Sequence, residues 1–241
     1  MISVCMATYN GGHYIREQLD SILMQLGEGD EIIISDDSST DDTLEIIASY
    51  ADNRIKIFPG QHFHSPVFNF ENALKQAKGD YVFLSDQDDV WKLDKVQVML
   101  EELKRFALVV SDCMVVDKEG GVIQDSFCFS EVRKTGVVSN IWRNNYLGCC
   151  MAFRREVLDK ALPFPSQIAM HDIWLGLCAS VFFSTTFISD KLICYRRHGN
   201  NASATAEASN LPWTYRISYR LYFICQLVKR FFVIKFYKIW K

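Results

Sequence analysis

The sequence has no strong excess of either charge, no cysteine pair at metal-binding spacing and, in its basic C-terminal segment, no run that could cross a bilayer. Its 241 residues carry a formal net charge of −3, which argues against a general nucleic-acid-binding protein. The eight cysteines include no Cys-x-x-Cys pair, so the usual spacing of a structural zinc site is missing. The longest uncharged run of the C-terminal segment, residues 221–228, is far shorter than the ~20 residues of a membrane-spanning helix.

The first residues of the chain predict a strand rather than a signal peptide. Residues 1–7 are apolar except for Ser3, and neither a basic leader nor a cleavage site accompanies them. Cys5, Cys149, Cys150 and Cys194 lie inside apolar runs, where a free thiol behaves as a small hydrophobic group. We therefore expect reduced cysteines and a cytoplasmic protein.

The first half of the chain alternates between strand and helix patterns. A length of 241 residues suits one domain, or one domain with an appendage. Short apolar runs predict strands at residues 2–7, 31–35, 55–58, 81–85 and 107–111. Segments with helical spacing lie between them, at 13–26, 69–77 and 92–106. This alternation predicts an α/β fold with a mixed, mostly parallel sheet between helices.

The stretch 81–91 carries the strongest functional signal. Its apolar strand runs directly into three carboxylates, Asp86, Asp88 and Asp89. In open α/β sheets, ligands bind outside the carboxyl ends of the strands. An Asp-x-Asp turn can share a hard divalent cation with phosphate oxygens. Capping of the following helix would explain one of these residues but not three.

A second acidic motif follows the strand at 31–35. Asp36 and Asp37 stand where that strand ends, whereas Asp41 and Asp42 are placed to cap the next helix. Both acidic motifs come after strands of the same predicted sheet. We therefore expect Asp36, Asp37 and the 86–89 carboxylates to lie along one edge.

The second half of the chain is less regular. Residues 126–145 show no clear period and are expected to be loop-rich, and a last strand is predicted at 193–195. His171 and Asp172 open an apolar helix that runs to residue 182, where Asp172 is either a helix cap or a functional carboxylate.

Several other side chains admit two interpretations. His62 and His64 form an alternating pair that is more often exposed than metal-binding, and Gly148 would let the backbone approach a ligand. Tyr146 and Trp174 are candidate platforms for a sugar, although burial in the core is the commoner role of such residues.

The C-terminal segment, residues 211–241, holds seven Lys or Arg and no Asp or Glu. On a helix beginning at residue 213, one narrow arc contains Arg216, Arg220, Arg230, Lys238 and Lys241. Such a helix suits the surface of an anionic membrane. The alternative is a helix packed on the body with its basic face outward.

Five polar motifs occur in an order that resembles a known family. They are Thr8-Tyr9-Asn10, Asp36-Asp37 with Ser39-Thr40-Asp41, Asp86-Gln87-Asp88-Asp89, His171-Asp172 and Arg196-Arg197-His198. Together they resemble the family 2 glycosyltransferases, inverting enzymes of the GT-A fold that use nucleotide sugars. The resemblance covers residues 2 to about 201 and is closest to bacterial enzymes of O-antigen, capsule or cell-wall polysaccharide synthesis. Two departures are Ala7, where the family often has Pro, and the absence of Arg from residues 63–69.

The resemblance implies a role for each motif. It implies binding of the nucleotide sugar by Thr8, Tyr9, Asn10, Asp36, Asp37, Asp86, Arg196 and Arg197. It implies a divalent metal, Mn²⁺ or Mg²⁺, held by Asp88 with His198 as a further ligand. Asp172 is then the catalytic base that deprotonates the acceptor hydroxyl.

These expectations define a domain arrangement and a function. We expect a GT-A catalytic domain over residues 1–205, divided into a nucleotide-binding half (1–112) and an acceptor and catalytic half (113–205), followed by an amphipathic tail at 211–241. The expected reaction moves a sugar from a UDP- or dTDP-sugar to a lipid-linked saccharide, with the enzyme peripheral on the inner face of a bacterial membrane. The rival functions are a sugar-phosphate nucleotidyltransferase and a non-catalytic membrane-docked scaffold.

Overall fold

The computed structural model of the protein describes residues 1–127, 136–199 and 212–237, with side chains described as far as residue 234. The predicted boundary between the catalytic domain and the tail, at 205–211, lies outside the described residues. Lys238 and Lys241 of the predicted basic arc also lie outside them.

Nine strands and eight α-helices make up the described chain. The strands are β1 (Ile2–Thr8), β2 (Glu31–Asp36), β3 (Ile55–Phe58), β4 (Tyr81–Ser85), β5 (Val90–Trp91), β6 (Leu108–Val116), β7 (Val122–Gln124), β8 (Met151–Arg154) and β9 (Thr185–Arg196). The helices are α1 (Ile15–Leu23), α2 (Thr43–Ser49), α3 (Pro66–Gln76), α4 (Lys95–Leu103), α5 (Val137–Trp142), α6 (Leu158–Ala161), α7 (His171–Phe182) and α8 (Trp213–Tyr237).

The strands form one mixed sheet in the order β3-β2-β1-β4-β8-β6-β9-β5, with β7 paired to β6. The N-terminal half, β3-β2-β1-β4, is wholly parallel, as expected from the alternating helices. The second half mixes a parallel β6–β9 pair with antiparallel partners. The sequence-based prediction of a mixed α/β sheet is confirmed.

Register in the parallel half brings the acidic motifs together. Thr8 at the end of β1 pairs with Asp36 at the end of β2, and Met6 pairs with Ser85, which directly precedes Asp86. The strands there are buried on both faces, because helices cover each side of the sheet. Both acidic motifs therefore leave the sheet at the same edge, as predicted.

The second half departs from the sequence-based expectations in two places. The predicted strand at 193–195 is the end of a twelve-residue strand, β9, whose first residues include polar side chains and are only partly buried. The region expected to be loop-rich contains the short helix α5. This half also contains a hairpin, formed by the antiparallel strands β6 and β7.

Helix α8 packs against the body of the protein. Phe223 and Leu227 are buried in the common hydrophobic core, and Phe223 stacks on Trp174 of α7. Arg220 donates to the carbonyls of Ile141 and Trp142, so this arginine faces the body rather than solvent.

Arg230 makes a similar inward contact, donating to the carbonyls of Leu162 and Pro163. The outward side of α8 is instead largely apolar. Within the described chain, no helix has both the length and the apolar character needed to span a membrane.

Candidate active site

A cleft of about 440 Å³ opens at the carboxyl edge of the parallel strands. The predicted site residues that line it are Thr8, Tyr9, Asp37, Asp86, Asp88 and Asp172. The lining is completed by Ala7, His64, Ser65, Pro66, Asn69, Phe70, Gln87, Leu147, Gly148, Met170, His171 and Tyr195. Asn10, Asp36, Arg196, Arg197 and His198 lie outside this lining.

Asp36 organises the loops beside the cleft from a fully buried position. Its carboxylate accepts hydrogen bonds from the Thr8 hydroxyl at 2.8 Å and from the Ser39 hydroxyl at 2.6 Å. The Ser39 backbone N–H donates to it as well, at 2.8 Å. Because these bonds occupy both carboxylate oxygens, the position of Asp36 favours a role in holding the β1 and β2 ends together.

Asp37 holds the loop that forms one wall of the cleft. Its carboxylate accepts backbone N–H groups from Phe63 at 2.6 Å and from Ser65 at 3.3 Å. Its own N–H donates to the carbonyl of Thr8 at 2.9 Å. Asp37 therefore joins the end of β1 to the 63–65 loop while it faces the cleft.

The Thr8-Tyr9-Asn10 turn is fixed by Gln87 of the second acidic motif. The Gln87 side chain accepts from the Tyr9 N–H at 2.9 Å and donates to the Tyr9 carbonyl at 3.0 Å. A Cβ at Gly11 would come within 2.4 Å of the Gln87 side-chain oxygen, so a larger residue there would push the Gln87 side chain away from the Tyr9 backbone. Asn10 has a φ of 49° and accepts from the Thr40 N–H with its side chain.

The carboxylates of the 86–89 motif are close enough to disturb one another. Burial and the neighbouring charges of Asp88 and Asp172 raise the pKa of Asp86 to about 8. Burial, together with Asp88 and Asp86, also raises the pKa of Asp89 well above its usual value. One oxygen of Asp89 has no hydrogen-bond partner among the described residues. Such a cluster favours a bound cation.

Two buried polar side chains that sequence reasoning missed support this cluster. Gln18 of α1 donates to the Ser85 hydroxyl and to the Asp86 carbonyl, at 2.8 Å each. Lys95 of α4 is fully buried; its ammonium donates to the Cys149 carbonyl at 2.8 Å and lies 4.6 Å from the centre of the Trp91 ring.

The signal for Lys95 was present in the helical spacing. It belongs to the inward stripe of α4, which also contains Val96, Met99 and Leu103. A lysine in an apolar stripe predicts a buried cation, and here its charge lowers the pKa of Asp86 against the effects of burial.

Asp88 and His198 come together from distant parts of the chain. The His198 Nε2 atom lies 2.8 Å from the Asp88 carboxylate, and the imidazole stacks on the ring of Tyr14 at 4.8 Å. A carboxylate and an imidazole form a donor set that suits Mn²⁺ and similar divalent ions. The residues present therefore fit a divalent metal.

A second group of potential donors lies deeper, where Asp86, Asp89 and Cys149 bring one atom each within 4.8 Å of one another. Contact with the Cys150 thiol and burial raise the pKa of Cys149, so its sulfur stays protonated. The Lys95 ammonium donates a hydrogen bond to the Cys149 carbonyl, and its positive charge would repel a cation bound at this position. The Asp88–His198 pair is therefore the better metal site.

Asp172 lies in the first turn of α7 and lines the cleft. The N-cap of α7 is Met170, and no side chain caps that helix, so Asp172 is not its cap. The carboxylate of Asp172 accepts the Ile173 N–H at 2.6 Å, and burial raises its pKa to about 6. It remains largely ionised at neutral pH, as a general base requires.

His171 stands beside Asp172 and also lines the cleft. Its ring stacks on Phe70 with 4.1 Å between centroids, and it is only 5% exposed. Burial lowers the pKa of His171 to about 3, so the ring is neutral. Neither ring nitrogen has a hydrogen-bond partner among the described residues.

Arg196 lies behind the acidic motif rather than in the cleft. Its backbone N–H donates to Asp89 and its guanidinium to the Asp88 carbonyl, at 2.9 Å each. The guanidinium also pairs with Glu17 at 2.5 Å and lies over the ring of Tyr14. This position favours bracing of the Asp88 loop over contact with a diphosphate.

The remaining sequence-based candidates divide into residues of the core and residues of the surface or the cleft. Tyr146 and Trp174 are buried in the core, where Tyr146 bonds to Ser180 and Trp174 donates to the Ala161 carbonyl. His62 and His64 are exposed, as such pairs usually are, and of the two only His64 lines the cleft. Gly148 lines it too.

Arg197 is partly buried just beyond β9, and its backbone N–H donates to the Val116 carbonyl at 2.8 Å.

Comparison with known proteins decides the family. Residues 3–162 match the model of "Glycosyl transferase family 2". The chain belongs to this family. It is therefore a glycosyltransferase, as the motifs implied.

Curated relatives agree with this assignment. The enzyme is 30% identical over 228 residues to an uncharacterized glycosyltransferase of Nostoc sp., covering 86% of this chain and 69% of the relative. It is 27% identical over 239 residues to TuaG of Bacillus subtilis, a putative teichuronic acid biosynthesis glycosyltransferase, covering 93% and 90%. It is 28% identical over 220 residues to the dTDP-rhamnosyl transferase RfbG of Shigella flexneri, covering 81% and 72%.

Solved structures confirm the fold. S. aureus TarS (residues 1–349), in complex with UDP-GlcNAc, superposes with a TM-score of 0.68 at 20% identity, covering 96% of this chain and 72% of that one. The mannosyltransferase PcManGT of Pyrobaculum calidifontis, in complex with GDP-Man and Mn²⁺, gives a TM-score of 0.66 at 19% identity, covering 95% and 64%. The enzyme has the GT-A fold expected from its motifs.

Proposed function

We propose that the enzyme transfers one sugar, with inversion, from a UDP- or dTDP-sugar to a lipid-linked saccharide during bacterial surface polysaccharide synthesis. The observation that carries this proposal is the convergence of Asp86, Asp88 and Asp172 on one cleft. The choice of reaction class is supported by two relatives, TuaG, a putative teichuronic acid biosynthesis glycosyltransferase, and RfbG, a dTDP-rhamnosyl transferase.

Donor binding would use residues 1–112, which contain the parallel half of the sheet. Asp37, Thr8 and Tyr9 line the cleft beside the 63–65 loop, where the nucleotide base would contact Asp37. Asn10 and Asp36 would hold this wall in place through their loop contacts. Asp86, which also lines the cleft, would contact the ribose.

Inverting transfer needs one base and one leaving-group stabiliser. Asp172 would take the proton from the acceptor hydroxyl as the oxygen attacks the anomeric carbon from the face opposite the nucleotide. The bond from that carbon to the diphosphate oxygen breaks in the same displacement. No covalent enzyme intermediate is needed, so no nucleophilic side chain is required.

Asp88 and His198 would hold a divalent metal, Mn²⁺ or Mg²⁺. When bound there, the ion would neutralise the charge that develops on the leaving diphosphate. Arg197 would add positive charge from the end of β9, while Arg196 would keep the Asp88 loop in position through its backbone contacts.

Metal-dependent release of UDP or dTDP from a panel of nucleotide sugars tests the catalytic proposal. Loss of this release in Asp172→Asn, with retained nucleotide binding, is the expected result. A scaffold would bind without release. A nucleotidyltransferase would instead consume a nucleoside triphosphate, and Arg16, the basic residue nearest the Gly11 turn, contacts Ser49 and Tyr50 rather than the cleft.

Membrane association of the C-terminal helix is the second part of the proposal. The outward side of α8 carries a stripe of exposed apolar residues spaced by three or four positions: Trp213, Ile217, Leu221, Ile224, Val228 and Phe232. Val138 and Trp142 of α5 are also strongly exposed, and Trp142 adjoins α8 through Arg220. We call these eight residues the apolar ridge.

The composition of the ridge favours a lipid surface over solvent. Exposed cations, Arg216 and Lys229, lie on the same helix, and the segment 211–241 contains no acidic residue. Apolar side chains flanked by cations are the pattern of helices that lie in the interface of anionic bilayers. The inward Arg220 and Arg230 would serve to fasten the helix to the body.

Vesicle co-sedimentation tests this part. Leu221→Glu with Ile224→Glu should abolish binding to vesicles of anionic phospholipid, whereas Ser218→Glu, an exposed polar position on the same helix, should retain most of it. Point variants are preferable to deletion of α8, since deletion would uncover Trp174 in the core. Equal binding by the double variant and by wild type would overturn the membrane proposal.

A further inference from the structure

His171 is a buried histidine whose polar atoms are unused by the protein. It is 5% exposed and lines the cleft, yet neither Nδ1 nor Nε2 has a hydrogen-bond partner among the described residues. A neutral imidazole offers one donor and one acceptor, and buried groups of this kind are almost always paired. The unpaired ring therefore needs an explanation.

Packing alone does not supply that explanation. The ring stacks on Phe70 with an interplanar angle of 22°, a contact that a phenylalanine would make equally well. Phenylalanine would also avoid the cost of burying two unpaired nitrogens. Each nitrogen exposes almost no surface, so a polar group that enters the cleft with a ligand reaches it only when the ring or the Gly148 backbone shifts. Such a group would account for the unpaired atoms.

The surroundings of His171 indicate which part of the ligand this is. Phe70 belongs to α3, in the half of the protein proposed to bind the nucleotide, and the adjacent Asn69 donates to the Thr8 carbonyl at 3.1 Å. The side-chain oxygen of Asn69 is the other cleft-lining polar atom without a partner among the described residues. On its other side, a Cβ at Gly148 would lie 3.1 Å from His171 Nε2, so a larger residue at this position would crowd the ring.

A sugar hydroxyl matches this environment. It both donates and accepts, as the neutral imidazole does, and it carries no charge that would need a counter-ion. Asp172, the next residue, faces the same space. A group hydrogen-bonded to His171 would therefore lie next to the reacting centre.

We propose that His171 is a specificity-determining residue that hydrogen-bonds a hydroxyl group of the sugar carried by the nucleotide. This inference rests on the proposed function and assigns the sugar subsite of the same cleft. A site built to pair with a hydroxyl rejects an analogue that lacks it, because the polar atoms of the protein are then left unpaired.

The test distinguishes binding of the sugar from binding of the nucleotide. Wild type, His171→Phe and His171→Asn are titrated with Mn²⁺ and UDP or dTDP, and then with the nucleotide sugar that stabilises wild type most among UDP-glucose, UDP-galactose, UDP-GlcNAc and dTDP-glucose. His62→Phe serves as a matched control, since His62 does not line the cleft.

We expect the Kd of the nucleotide alone to stay within about twofold in every variant. The Kd of the nucleotide sugar should rise about tenfold or more in His171→Phe, and less in His171→Asn, which keeps a donor and an acceptor. The melting temperature of His171→Phe should equal or exceed that of wild type, because unpaired polar atoms are removed. The assignment is overturned if the ratio of the nucleotide-sugar Kd to the nucleotide Kd is the same in His171→Phe as in wild type, whatever the melting temperature of the variant.

Failure of the proposed function gives a different result. If wild type binds none of these nucleotides, the donor proposal itself is contradicted. If wild type binds nucleotide and nucleotide sugar but His171→Phe shows the same ratio, only the role of His171 is contradicted.

Discussion

The imidazole of His198 lies 2.8 Å from the carboxylate of Asp88, although 110 positions separate the two residues. The contact joins the loop after β4 to the end of β9, and Tyr14 supports it by stacking on the imidazole. Arg196 holds the same two segments together through the Asp88 carbonyl and the Asp89 carboxylate. A candidate metal site is thus formed by two segments that the sheet brings together.

Asp88→Ala and His198→Ala should each weaken Mn²⁺ binding, and the two effects should not add. Removing either ligand leaves the other without its partner, so the double variant should lose little more than the worse single variant. Calorimetric titration of Mn²⁺ measures this, with His62→Ala as control. Strict additivity would show that the two residues act at separate places.

Asp172→Asn should lower turnover by roughly 10²- to 10⁴-fold, the usual contribution of a general base. The amide is nearly the same size as the carboxylate, so nucleotide binding and folding should change little. The measurement is the rate of UDP or dTDP release under saturating donor. A variant that keeps wild-type turnover would exclude Asp172 as the base.

Turnover should fall as the pH drops through about 6. Burial raises the pKa of Asp172 to about 6, and only its ionised form can accept a proton. The rate should therefore decline about tenfold per pH unit below that value. The residual activity of Asp172→Asn should lack this limb, and a wild-type profile flat to pH 5 would contradict the assignment.

Without metal, the protein should become less stable as pH rises from about 4 to 8. The pKa of Asp86 is about 8 in the folded protein against a usual 3.8, so between these values the unfolded chain releases a proton that the folded chain keeps. Rising pH therefore favours unfolding. Thermal melting in chelator should show this fall, Asp86→Asn should reduce it, and Mn²⁺ should oppose it. A melting temperature that rises over this range would contradict the charge arrangement.

The first half of the fold could be predicted because its strands are continuous apolar runs separated by helical spacing. Asp36 ends one strand that pairs in parallel with β1, and Asp86 follows the other, so connectivity alone predicted their common edge. The family motifs supplied the chemistry of this edge. Residue spacing could not show that Asp36 is enclosed by Thr8 and Ser39 while Asp37 faces the cleft.

The second half was harder because tertiary pairing decides its structure. Strand β9 begins with polar residues that form a strand only beside β6, and β8 joins the sheet in the antiparallel direction. The orientation of the Arg196 side chain also depends on its ion pair with Glu17, a residue of the distant helix α1. In α8, periodicity identified the basic arc, but carbonyls of α5 and of residues 162–163 turn Arg220 and Arg230 inward.

A thermal-shift screen of UDP, dTDP and GDP with and without Mn²⁺ measures whether Asp88 belongs to a metal-dependent nucleotide-sugar site. A ligand that binds the folded state raises stability by about RT ln(1 + [L]/Kd). We expect the melting temperature to rise with UDP or dTDP only when Mn²⁺ is present, and this rise to disappear in Asp88→Ala. No shift with any nucleotide, or a shift that Asp88→Ala leaves intact, would contradict it.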